Sequence, residues 1–284
     1  MAPSPRSAST VDVDDISRAK AHDETERIEN VLRPSPSHFE KLNLTPEQPV
    51  AGKLRLTFGN PAPIALGGFL LANTPATIDL MGWGGAGGGA GNASAGIGAY
   101  YFLGAILLYF GAIGEWILGN TFPAVVFFTF GGFWGTFGAT LTPFFNVING
   151  YANATTGKVD AAGEAAFYRS FAMFLIFMAV LCLLYTIAAL RTNLCLVAIL
   201  FCFTITFPCL AASYFYGADG LASMSSTTRI VGAAFAFVAS MIGWYLWFSL
   251  ILEAVDFPVV LPVGDLTKYV KGRSEKVKNE REMA

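Results

Sequence analysis

Histidine is nearly missing from this 284-residue chain: only His22 and His38 occur, and both precede the apolar stretches. A His-centred constellation for hydrolysis, group transfer or metal binding therefore cannot be assembled in the apolar part, so no enzyme, metal or cofactor is expected. Cysteine is sparse as well. Cys195, Cys202 and Cys209 recur every seven residues and share one helical face, with Cys182 apart, a pattern of small packing residues. Charged residues make up only 13% of the chain and are concentrated towards its ends. That leaves too little polar surface for an ordinary soluble domain, and no basic patch for nucleic acid. A secretory signal is also lacking, because VDVDDISRAK supplies no continuous apolar run where one would be needed.

What is present is hydrophobic length. Hydrophobic residues are 54% of the sequence, with 25 phenylalanines, and the pattern predicts an all-α, six-transmembrane-helix bundle. The first helix is read in Asn60–Trp83. It opens with prolines where the first amides of a helix have no partners anyway, and carries Pro75 and Asp79 inside. A kinked helix that is only partly lipid-facing, bordering a polar cavity, is expected there. Five further spans are expected at Ala95–Leu118, Phe122–Asn149, Ala165–Leu190, Leu194–Tyr216 and Arg229–Val255. Residues 1–59 are read as a disordered cytoplasmic tail, 60–265 as the transmembrane domain and 266–284 as a basic cytoplasmic tail.

Lys and Arg set the orientation. Eight lie before Asn60, six after Leu266 and Arg191 in the turn between the fourth and fifth spans, while Lys158, Arg169 and Arg229 fall to the other face. Both termini are thereby predicted to be cytoplasmic, with the plasma membrane as the expected location. The tripeptides beginning at Asn92 and Asn153 fit N-x-[ST] in loops that the charge count places outside, whereas the one at Asn43 should stay unused. Gly104 and Gly111 on the second span, and Gly131 and Gly135 on the third, offer surfaces for close helix approach, either within one bundle or between subunits.

Four ordered segments carry a family resemblance. Asn60-Pro61-Ala62-Pro63 resembles the NPAP signature of the acetate uptake transporter family, also called succinate/acetate permeases. Glu115 to Phe122 (EWILGNTF) resembles its E-x-x-x-GNTF segment, and Phe127 to Trp134 (FFTFGGFW) its following [AF]-x-[ST]-[YF]-G-x-FW segment. Val260 to Asp265 (VLPVGD) resembles its V-L-P-[IV]-G-[ED] close. The chain departs from the family pattern at Leu103-Gly104-Ala105 with Leu108, in Asn73 to Asp79, and in a longer glycine-rich loop after the first helix. Together with the acceptor tripeptides and long tail, it reads as a divergent, fungal member.

The resemblance implies six helices per subunit, a homohexamer in the lipid bilayer, and a pathway through each subunit narrowed midway by aromatic and aliphatic side chains. By motif register, Phe69 and Phe130 match narrowing positions, with Phe203 as a third. Asn60, Asn120, Thr121 and Thr129 are the polar groups placed to meet a small carboxylate along that path, since such a solute needs donors alternating with apolar constrictions. Glu115 and Asp79 are the proton-coupling candidates. The implied activity is permeation of acetate or a similar short monocarboxylate, by proton symport or channel-like passage. Ammonium transport or export, and a receptor or scaffold signalling through the long tail, are the alternatives.

Overall fold

The computed structural model describes residues 57–87, 93–267 and 269–270. The expected tails before residue 57 and after residue 270, and the acceptors Asn43 and Asn92, lie outside the described residues. Six helices are long and apolar enough to cross a membrane. They are α1 (Ala62–Met81), α2 (Ser94–Ile117), α3 (Thr121–Leu141), α4 (Ala161–Ala189), α5 (Leu194–Ala218) and α6 (Ala222–Ala254). No strand is formed among the described residues beyond one isolated bridge, Asn193 to Asp265.

Three boundaries differ from the sequence reading by more than two residues, each for a local reason. α3 stops at Leu141, well short of Asn149, because Pro143 bars the residue before it from helical ψ and Thr142 is extended at φ −76°, ψ 120°. α6 starts at Ala222, upstream of Arg229, since its Ser/Thr-rich first turns are polar yet fully helical. α4 begins at Ala161 because Asp160 Oδ1 accepts the Gly163 N–H at 2.9 Å and caps it. α1 runs unbroken through Pro75.

The Asp160 cap yields a pH prediction. The Asn153 amide and the Gly163 N–H hold its carboxyl below the ordinary aspartate value near 3.8. A depressed folded-state pKa adds stability that is present above the unfolded value and lost as pH falls through the folded one. Asp160→Ala should therefore lower the melting temperature slightly at pH 7, and the difference from wild type should shrink as the pH is taken down through the aspartate range and below it. Thermal unfolding across that range measures it.

The helices close a circuit. α1 packs on α2 and α6, α2 on α3, α5 on α4 and α6. Aromatic contacts such as Phe122 with Tyr185 and Phe133 with Phe174 complete the turn from α3 to α4. Glycines permit the tightest of these contacts. A Cβ on Gly111 would lie 2.4 Å from Ala65 Cβ, and one on Gly104 2.8 Å from the Trp134 ring. Both are thus packing surfaces inside one bundle, as is Gly131 against Tyr109.

The seam between α1 and α6 is polar. Trp247 Nε1 donates to Pro63 O, Trp244 Nε1 to Thr74 Oγ1, and Asn73 Nδ2 to Ala236 O and Ser240 Oγ. In a low-dielectric interior each such donor needs a partner, so these bonds fix the rotation of α1 about its axis. The VLPVGD segment folds back onto the start of α5. Leu194 N donates to Gly264 O at 2.7 Å and Cys195 N to Val263 O at 3.4 Å, supplying acceptors for amides near a helix start.

Candidate functional site

The rotation fixed at the α1–α6 seam points Phe69 inwards. Its ring meets Phe130 of α3 at a centroid distance of 6.3 Å and Phe203 of α5 at 5.7 Å, and Phe130 meets Phe203 at 5.5 Å. All three pairs are edge-to-face, the arrangement that the ring quadrupole favours. Exposures of 6, 5 and 4% put the three rings inside the bundle, away from lipid. Three helices that are distant in sequence thus converge on one apolar junction about halfway along their length.

Above the junction, towards the α5–α6 connection, lies a cavity of about 560 Å³. Phe203 forms part of its wall, with Asn73 and Thr77 of α1, Trp134 of α3, Tyr168 of α4 and Arg229 of α6 among the others. Asn73 sits one helical turn above Phe69 and is 4% exposed. Sequence reasoning noted Asn73 only as a departure from the family pattern. A buried amide on an intramembrane helix was the signal that could have promoted it to the site.

None of the other expected site residues lines this cavity. Asn60 is half-buried, and its Oδ1 accepts the Ala62 N–H at 3.0 Å, so part of its polarity serves the start of α1. Thr129 is one residue before Phe130, and its hydroxyl bonds Val125 O and Val126 O and lies 3.2 Å from Tyr185 Oη. Thr121 is exposed at the start of α3. Asp79 is half-buried near the end of α1 and does not line the cavity.

Glu115 is buried near the end of α2, and one of its oxygens accepts the Asn120 Nδ2 donor. The Asn120 N–H donates to the Glu115 carbonyl at 2.8 Å, so acid and amide together close the α2–α3 turn. Removing a buried acceptor strands its donor, at a cost of about 1–3 kcal/mol. Glu115→Leu should therefore lower the melting temperature in detergent by several degrees, while Glu115→Gln, which keeps a carbonyl oxygen there, should stay close to wild type. Fluorescence-detected size exclusion after heating distinguishes the two.

Six apolar helices, five of which line a cavity that ends on three facing rings, define a multi-pass membrane protein of the permease or channel type. The chain belongs to the GPR1/FUN34/yaaH family, whose model matches residues 42–268. It is 40% identical to Protein alcS of Aspergillus fumigatus over 257 residues, 89% of this chain and 93% of that one. It is 32% identical to the acetate transporter protein patA of Aspergillus clavatus over 74% of this chain and 79% of that one. Its backbone matches the solved structure of the bacterial acetate channel SatP with a TM-score of 0.55 at 22% identity, covering 73% of this chain and 99% of that chain. That likeness carries the fold. The family expected from the four segments is thereby established, with fungal relatives.

Proposed function

We propose that this protein passes acetate, or a monocarboxylate of similar size, through the interior of each six-helix bundle, with Phe69, Phe130 and Phe203 as the narrow point. The observation that carries the reading is the three-ring junction at the base of the 560 Å³ cavity, taken with the acetate-transporting relative. Apolar rings at a constriction resist hydrated ions by dewetting, while a small solute with a methyl tail can slip between them once it is partly dehydrated. On this reading the subunits assemble as a homohexamer in the plasma membrane with both termini cytosolic, so the cavity opens outwards. No bond is made or broken.

The test is isotope uptake into vesicles carrying purified protein, with formate, acetate, propionate, succinate and ammonium compared. Acetate and its nearest neighbours in size should saturate and compete. Uptake of ammonium without any carboxylate would overturn the substrate and leave the fold standing. The same vesicles test proton coupling. Because Asp79 lies off the cavity wall, Asp79→Asn should leave the response to an imposed pH gradient unchanged, and a lost response would make Asp79 the proton carrier.

A further inference from the structure

We propose that Arg229 and Trp134 are the two donors of an anion-receiving vestibule, which collects the carboxylate before it reaches the phenylalanine junction. The inference rests on the carboxylate reading above and adds the groups that recognise the charge. Both residues line the 560 Å³ cavity. Arg229 Nε and Trp134 Nε1 are buried, and neither has a hydrogen-bond partner among the described residues. A buried N–H without an acceptor is rare in a folded protein, and two of them on side chains that line one cavity point to a ligand that supplies acceptors there once either side chain turns slightly.

The charges around Arg229 sharpen the case. Arg169 of α4 is already neutralised by Asp219 at 2.7 Å. The cavity wall carries one carboxylate, Glu164, whose Oε1 accepts the Tyr168 hydroxyl at 2.6 Å. No ion pair joins Glu164 to Arg229 among the described residues, which leaves Arg229 as the uncancelled cation of the wall. Inside a membrane protein such a cation faces the interior and marks a solute path. A guanidinium also presents a planar fork of donors that fits both oxygens of a carboxylate, which an ammonium does not.

The two donors stand at different depths. Arg229 lies seven residues before Ala236 on α6, about 10 Å along the axis at 1.5 Å per residue. Ala236 O accepts from Asn73, and Asn73 is one turn above Phe69. Trp134 is one turn above Phe130 on α3. Arg229 thus sits near the mouth and Trp134 near the floor. One turn above Arg229, Ser225 and Ser213 exchange hydroxyl-to-carbonyl bonds of 2.8 Å each way, clasping α6 to α5 and holding the mouth in place. A fixed cation in a low-dielectric mouth raises the local anion concentration and makes capture sensitive to salt.

The experiment is acetate uptake into vesicles by wild type, Arg229→Gln, Arg229→Lys and Trp134→Phe, over a range of acetate concentration and ionic strength. Size exclusion confirms the folded state of each variant. Arg229→Gln should raise the half-saturating acetate concentration about tenfold, leave the maximal rate within about twofold, and flatten the dependence on ionic strength. Arg229→Lys should recover the salt dependence and part of the affinity, and Trp134→Phe should raise half-saturation about threefold with the salt dependence intact. Unchanged half-saturation in Arg229→Gln, or a fall confined to the maximal rate, would overturn the vestibule while acetate transport by wild type stands. Absence of any saturable carboxylate uptake by wild type would remove the parent reading and this one together.

Discussion

Phe203→Ala should let isobutyrate through, raising its uptake relative to wild type on the order of tenfold or more, while formate and acetate change far less. The expectation follows from the junction itself. Phe203 touches both other rings, at 5.7 and 5.5 Å, and is the member of the three that also faces the cavity. Removing its ring opens the floor of the cavity directly into the space between Phe69 and Phe130. Apolar pockets discriminate by about 10- to 200-fold per methylene when shape decides, so a branched C4 acid should gain most and a C1 acid least.

The competing view treats the three rings as ordinary core. On that view Phe203→Ala would leave a void, cost about 3–5 kcal/mol, and reduce the yield of folded protein without altering which acids pass. The two views separate on selectivity measured per folded molecule. Phe177 on α4 supplies the control: it is 70% exposed, on the outer surface of the bundle, and Phe177→Ala should leave selectivity as it was. Phe69→Ala and Phe130→Ala should broaden selectivity in the same direction as Phe203→Ala, because each removes one corner of the same triangle.

The sequence made some features legible and not others, for physical reasons. Span number and order could be read because mean hydropathy over about 20 residues reports membrane crossing whatever the packing. The Phe69, Phe130 and Phe203 cluster was within reach only through motif register, since nothing in 25 phenylalanines says which three meet. Arg229 was read as an orientation marker because hydropathy counts a charge but cannot say whether a partner cancels it. Asn73 was passed over for a similar reason: its bonds to Ala236 and Ser240 span 163 and 167 residues of sequence. The end of α3 was legible in Pro143 and was missed because an apolar run was followed past a breaker.

The hardest feature to foresee is the π-turn at Tyr100–Ala105, inside a stretch that reads as plain α-helix. The wider turn falls on Leu103-Gly104-Ala105, where the chain departs from the family pattern, and α1 meets that turn at Gly68. A Cβ on Gly68 would lie 2.4 Å from Leu103 O and 2.6 Å from Leu107 Cβ, so the obstruction includes backbone that cannot swing aside. Gly67, its neighbour in sequence, differs: there a Cβ would meet only the Trp247 indole, with Nε1 at 3.1 Å, and that ring need give by just a few tenths of an ångström. Gly68→Ala should therefore cost about 1–3 kcal/mol, lowering the melting temperature by about 5 °C, and Gly68→Val should abolish recovery of monodisperse protein. Gly67→Ala should be tolerated by comparison. Backbones approach closely in a bilayer only where small residues allow it, so separating α1 from α2 would also swing Phe69 off the junction and lose acetate uptake along with the fold. If Gly68→Val were as stable as wild type, the contact between α1 and the π-turn would be wrong, and with it the placement of Phe69.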